Sequence, residues 1–294
     1  MRILITGASG FVGGAVAKRL IRAGHEVIGT ATAAPAASSA GLQWVQWHSG
    51  DGPIPEIEYS SLDAIIHLAS PRDRGKFPEA APANLETSVI ATVRLVEQAR
   101  MHGLRFLLAS TGDVVAAGPA IVNENDDALR PVNFYGAALA SAELLVRQYM
   151  STTSAAILRL FHPFGFGGDA FLINRLVRRV AGGQEITIDG RNGIQLNPVW
   201  IEDVVDGFII ALANPVTGRF HLSGPDLMSF RALVGVIGGI VGREVAIKSP
   251  ATQPDGGHAG SYERARQILG YNPRIGLEEG VRLLARNLSA EPGR

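Results

Sequence analysis

The segment Thr6-Gly7-Ala8-Ser9-Gly10-Phe11-Val12-Gly13 has the residue types and spacing to cradle phosphates. Gly7 permits a tight turn, Gly10 lets the backbone approach a pyrophosphate, and Gly13 lets the following helix pack closely on a sheet. The free N–H groups and dipole of a helix N-terminus would then stabilise the anion. Three glycines alone are a weak signal. Here they follow an apolar run, residues 2–6, and open a helical pattern, which is the context a dinucleotide site requires. Other chemistries are excluded. The chain has no Cys, so thiolate nucleophiles, disulfides and Cys-ligated zinc are absent. The histidines at 25, 48, 67, 102, 162, 221 and 258 form no HxxxH or HExxH spacing, which argues against a His-built metal site.

The elements that must position this turn are legible from periodicity. Residues 2–6 read as a strand. Residues 11–23 read as a helix, with Val12, Val16, Leu20 and Ala23 on one face and Gly24 as its stop. Residues 26–30 begin a second strand. The alternation continues with strands at 43–47, 63–68, 104–110 and 155–160, and helices at 83–102 and 134–150. Such alternation predicts an α/β fold, a doubly wound parallel Rossmann-type sheet covered on both faces. After residue 160 the rhythm changes. Residues 161–168 read as a loop, 171–180 as a basic amphipathic helix, 185–190 as a strand and turn, and 202–213, 230–241, 262–269 and 277–287 as helices. The expected division is a dinucleotide-binding domain of residues 1–165 plus about 197–225. A smaller, interleaved C-terminal lobe of about 166–196 plus 226–294 would bind substrate.

Composition narrows the partners. In 294 residues, 27 Lys plus Arg balance 27 Asp plus Glu, so no basic surface for nucleic acid or anionic membrane is expected. No apolar run is long enough to span a bilayer, and a cytoplasmic location is the expectation. Lysine occurs only at 18, 76 and 248, against 24 arginines.

Several spaced segments, in order, resemble the extended branch of the short-chain dehydrogenase/reductase family, the NAD-dependent epimerases and dehydratases that modify nucleotide sugars. TGASGFVG resembles its TGxxGxxG fingerprint, and DAIIHLAS (63–70) its DxVxHLAA strand. LRLFHPFG (158–165) resembles LRxxNxYG, and VWIEDVV (199–205) the HVxDVA segment. FHLSG (220–224) and ARQILGYNP (265–273) resemble the closing elements. The resemblance implies a dinucleotide held by Gly7, Ser9, Gly10, Phe11, Val12 and Gly13, by Thr30, Ala31 and Thr32 after the second strand, by Asp51 after the third, by Leu68, Ala69 and Ser70 after the fourth, and by Tyr135 and His162. It also implies a homodimer formed through the helices at 83–102 and 134–150. Plainer readings stand beside these: His67 as a hydrogen-bonded core residue, Asp203 as a helix cap, Asp51 as a turn residue.

The catalytic residues implied by the resemblance are Tyr135, in a segment like YGxxKxxxE, with Thr111 and neighbouring Ser110 at the end of the fifth strand. Glu143 keeps its place, but the lysine position is Leu139. Residues four apart share a helix face, and a lysine there would lower the tyrosine's pKa and hold the nicotinamide ribose. Without it, little of the phenol is ionised at neutral pH. Donation of a proton, and hence reduction, suffers least. Lys76 in the loop after the fourth strand and His162 are the substitute proton donors to consider. An acidic residue after the second strand would disfavour NADP. Ala31 occupies that position, so the cofactor reads as NAD(P) with a slight lean to NADP. Leu196 stands where the family often carries a phosphate-gripping arginine; Arg175, Arg178, Arg179 and Arg191 remain as candidate anion ligands. The expected function is an NAD(P)-dependent oxidoreductase or epimerase acting on a sugar-like substrate. The alternative is a cofactor-binding pseudoenzyme, a sensor or scaffold.

Overall fold

In a computed structural model of the chain, residues 1–33, 41–47, 54, 56–71, 73, 75–115, 121–126, 128–250 and 257–290 are described. β1 (Arg2–Thr6) feeds α1 (Phe11–Arg22), followed by β2 (Glu26–Ala31), β3 (Leu42–Gln46) and β4 (Ala64–His67). Then come α2 (Ala81–Leu85), a π-type turn (Glu86–Ile90), α3 (Ala91–His102), β5 (Arg105–Thr111), α4 (Phe134–Tyr149) and β6 (Ala155–Leu160). α5 (Leu172–Ala181), β7 (Ile186–Thr187), β8 (Gln195–Leu196), α6 (Ile201–Ala213) and β9 (Gly218–Leu222) follow. The chain continues through β10 (Met228–Ser229), α7 (Phe230–Val241), β11 (Ile247–Lys248), β12 (Gly257–His258), a second π-type turn (Ala265–Leu269) and α8 (Leu277–Ala290).

Seven strands form one sheet in the order β3-β2-β1-β4-β5-β6-β9, and every pair is parallel. This is the doubly wound order, whose direction of winding reverses between β1 and β4. Successive side chains of a strand point to opposite faces, and the core divides accordingly. Ile3, Ile5, Ile66, Leu107 and Leu158 join the face covered by Val12, Val16 and Leu20 of α1 and Phe208 and Ala211 of α6. Leu4, Ile65, Phe106, Leu108 and Ile157 join the other, under Leu95, Val96 and Ala99 of α3 and Ala142 and Val146 of α4.

Three departures from the periodicity have physical causes. The helix expected over 83–102 is interrupted by the turn at Glu86–Ile90, where the Thr87 carbonyl lies 3.3 Å from the imidazole Nε2 of buried His67; a polar group inserted at a helix commonly widens a turn. β9 completes the sheet; its only apolar side chains are Phe220 and Leu222, alternating with Arg219 and His221. His221 is buried and its N donates to Glu124 Oε1; Arg219 is half-buried and donates to the Glu124 carbonyl. Residues 185–190 contribute only the two-residue β7, paired with β11. The remaining short strands form a sheet in the order β10-β8-β12.

Candidate active site

The turn after β1 is built as the spacing requires. Gly7 has φ +70°, and a Cβ there would fall 2.8 Å from the Ala69 backbone; a Cβ on Gly13 would strike the Gly7 carbonyl. Gly10 is the N-cap of α1, with no side-chain capping bond and no acidic residue in the first turn. The helix N-terminus therefore offers N–H groups to an anion. This is a cradle that fits a pyrophosphate, formed by backbone where a side chain would fill it.

Thr6 ties the cradle to the neighbouring strand. Its hydroxyl accepts from Leu68 N and Ala69 N, both at 3.2 Å, and lies 2.6 Å from His67 Nδ1. Thr30 has its oxygens turned toward the same turn: its carbonyl accepts from Ala8 N and its hydroxyl lies 3.4 Å from Gly7 N. Leu68, Ala69 and Thr30 thus shape the cradle through these bonds. Ala31 is buried and Thr32 exposed at the end of β2. Ser9 is exposed, Val12 is buried in the core, and Phe11 stacks tilted on Phe171 at 4.9 Å. Asp51 lies outside the described residues.

Tyr135 sits in the first turn of α4. The helix starts there because Asn133 caps it, its side-chain oxygen accepting from Gly136 N at 2.7 Å. Ser70, after β4, places its hydroxyl 3.3 Å from the Tyr135 hydroxyl. The cradle and the phenol are therefore joined through residues 68–70, beyond the carboxyl ends of the central strands, where ligands of open α/β sheets bind. Thr111 ends β5 and caps the next turn, its hydroxyl accepting from Asp113 N at 3.2 Å. Ser110 points elsewhere. Its hydroxyl donates to Glu143 Oε1 at 2.5 Å, and Glu143 forms a fully buried ion pair with Arg159 at 2.6 Å.

Leu139 is 4% exposed and packs with Val114, Val115, Ala140 and Phe161; Tyr135 lies against the same cluster. The position four residues beyond the phenol is thus an apolar socket. Lys76 is exposed and paired with Asp73 at 2.8 Å. Of the candidate anion ligands, Arg178 pairs with Asp169 at 2.6 Å and Arg179 donates to the Glu185 carbonyl. Leu196 is fully buried.

His162 lies just past β6 with φ 48°, the one positive-φ residue other than glycine among those described. Its Nε2 is sealed from solvent with no hydrogen-bond partner among the described residues. Burial, and next the nearby His258, push its pKa down to about 3, so the ring is neutral. The His258 ring meets it edge-on at 4.6 Å, and His258 Nε2 lies 3.3 Å from Asp113 Oδ1. Asp113 and His258 were not signalled by spacing, since 145 residues separate them in the chain. Asn133 carried a signal, as a capping residue type directly before an apolar helical pattern. No group of His, Asp and Glu among the described residues could hold a metal.

The comparisons with known proteins agree with this geometry. The model of the NAD dependent epimerase/dehydratase family matches residues 3–221. A UDP-glucose 4-epimerase of Mycolicibacterium smegmatis is 27% identical over 308 residues, covering 96% of this chain and 96% of that protein. A UDP-glucuronic acid decarboxylase 1 of Xenopus tropicalis is 25% identical over 296 residues, covering 95% of this chain and 70% of that protein. Among solved structures, a UDP-glucuronic acid 4-epimerase from Bacillus cereus in complex with UDP-glucuronic acid and NAD superposes with a TM-score of 0.84 at 21% identity, over 99% of each chain. A phosphate cradle after the first strand, a phenol hydrogen-bonded to the end of the fourth, and a family model spanning both place the chain in the NAD dependent epimerase/dehydratase family.

Proposed function

We propose that the protein interconverts a hydroxyl and a carbonyl on the sugar of a nucleotide sugar, with UDP-hexoses and UDP-hexuronic acids as the first substrates to test. The observation that carries this reading is the bond from Ser70 to Tyr135 at 3.3 Å, which couples the cofactor cradle to a proton-carrying side chain. The relatives with UDP-sugar names, similar along nearly the whole chain, support the substrate class.

NAD, when bound, supplies the hydride acceptor and donor. The chain's own residues do the rest. The turn at Gly7, Gly10 and Gly13 holds the pyrophosphate. Tyr135 holds or gives up the proton of the substrate oxygen, with Ser70 and Thr111 orienting the oxygen. Leu139 keeps water and charge away from one side of the phenol, which favours the protonated form and thus the reducing direction. Residues 1–165 with about 197–225 hold the dinucleotide, and about 166–196 with 226–294 hold the other end of the substrate. Ala31 presents no carboxylate to a 2′-phosphate, so NADP is accepted as well as NAD, within about tenfold by calorimetry.

The experiment is incubation of the protein with NAD and a panel of UDP-sugars, followed by proton NMR of the anomeric region. Conversion of at least one sugar, slowed at least ~10²-fold in Tyr135→Phe, is the expected result. Cofactor binding with no conversion of any sugar would instead make the protein a cofactor-binding scaffold.

A further inference from the structure

The phenol of Tyr135 stands on the first turn of α4, and whatever holds that turn decides where the phenol lies. Leu139, four residues on, holds the helix by apolar packing, which is non-directional. The ion pair at Glu143 lies about two turns further along. Next to Tyr135, three contacts converge on Asp113. Its carbonyl accepts from Val132 N at 3.0 Å, its Oδ2 accepts from Asn133 Nδ2 at 2.8 Å, and a Cβ on Gly136 would overlap its carbonyl. On its other side, Asp113 N donates to the Thr111 hydroxyl at 3.2 Å. Asp113 thus stands between Thr111 and the turn that carries Tyr135. Asn133 works in two directions. Its Oδ1 accepts from Gly136 N at 2.7 Å and closes the first turn around Tyr135, while its Nδ2 reaches back to Asp113. An aspartate would cap the helix as well but has no donor for a carboxylate.

We propose that Asn133 and Asp113 are positioning residues, whose amide–carboxylate bridge sets the phenol of Tyr135 relative to the hydroxyl of Thr111. The proposal rests on the functional reading above, which assigns both groups to the substrate oxygen. The Ser70 hydroxyl holds the phenol on the β4 side, and the bridge holds its helical turn on the β5 side. Both partners of the bridge meet water: Asn133 is exposed, and the Asp113 side chain is 25% exposed. When the bridge breaks, each group is rehydrated, so the bridge adds little to stability. Placement of the phenol is far more demanding, because a displacement of about 1 Å can cost on the order of 10²-fold in rate. The other group facing the carboxylate is His258, whose Nε2 lies 3.3 Å from Oδ1, the oxygen that Asn133 does not use. Asn133 and His258 therefore address different oxygens of Asp113.

The test uses the NAD-loaded full chain. Asn133→Asp keeps a capping oxygen for α4 but sets a second carboxylate against Asp113. It should keep the melting temperature, the NAD affinity and the KM for the sugar, and lose at least ~10-fold in kcat. Adding Asp113→Asn to that variant rebuilds the bridge with donor and acceptor exchanged, and should recover most of the lost kcat. Carbon NMR of labelled tyrosine reads the phenol without turnover: the Tyr135 Cζ signal should shift in Asn133→Asp and return in the double variant. A kcat indifferent to Asn133→Asp, a loss that the second substitution does not recover, or an unmoved Tyr135 signal would overturn the proposal. So would a melting temperature or NAD affinity that falls in step with kcat, since the bridge would then be a tie of the fold. A wild type inert to every nucleotide sugar would overturn the functional reading instead, and the Tyr135 signal would still decide whether the bridge places the phenol.

Discussion

Leu139 sets the terms at the scale of single residues. A lysine there would bury an ammonium among Val114, Val115, Ala140 and Phe161, and an unpaired buried charge is costly. Leu139→Lys is expected to lose at least about 2 kcal/mol of stability in denaturant melts. Leu139→Met, which keeps the volume, should cost less than about 1.5 kcal/mol. A lysine variant as stable as the wild type would show that the socket admits a charge and its water. The turn of Gly7, Gly10 and Gly13 and the helix start that carries Tyr135 were legible in the sequence because each lies within one short segment. Asp113 and His258 were not, because only the tertiary fold brings them together. Ser110 was legible as a neighbour of the site but not in its bonding: adjacent strand residues face opposite sides, and its hydroxyl serves Glu143.

Among the elements, α4 carries the phenol and is anchored at its start and at the middle of its buried face. Asn133 caps its start, and Glu143 binds Arg159 of β6 and Ser110 of β5. Glu143→Gln leaves a fully buried guanidinium without its counter-charge, so a loss of about 3–5 kcal/mol is expected. Ser110→Ala removes one bond to that carboxylate and should cost about 1–2 kcal/mol. Equal effects of the two variants in chemical melts would contradict this ranking. The strands β1 to β6 were readable as short runs rich in apolar residues, the central ones buried on both faces, and α1, α4 and α7 from their helical apolar periodicity. β9 was not, because it is short, has only Phe220 and Leu222 as apolar side chains, and buries His221 with a backbone bond to Glu124. Nor was the wide turn at Glu86–Ile90, which depends on His67 from another element.

For the whole molecule, buried neutral histidines make stability depend on pH. Burial lowers His67 from 6.5 to about 4, and His162 to about 3. Both bind a proton more readily when unfolded, so their contribution is complete above pH 6.5 and is lost as pH falls through about 4 and about 3. The melting temperature should fall steeply between pH 6 and 4, and His67→Asn should flatten part of that fall; a flat profile would contradict it. α2, the turn after it, α3 and α4 expose Leu85, Ile90, Met101, Leu144 and Leu145, and a homodimer through these helices is the assembly we propose for light scattering to test. No helix among the described residues is long and apolar enough to cross a membrane. The central claim, that a dinucleotide sits on the turn after β1, is tested most directly by calorimetric titration of NAD into the wild type and Gly10→Glu. Gly10 is exposed at the N-terminus of α1, where a carboxylate favours the helix but occupies and repels the pyrophosphate position. The account predicts saturable binding by the wild type and at least a hundredfold weaker binding by a Gly10→Glu variant with an unchanged melting temperature. Equal affinities, or no binding by the wild type, would contradict it.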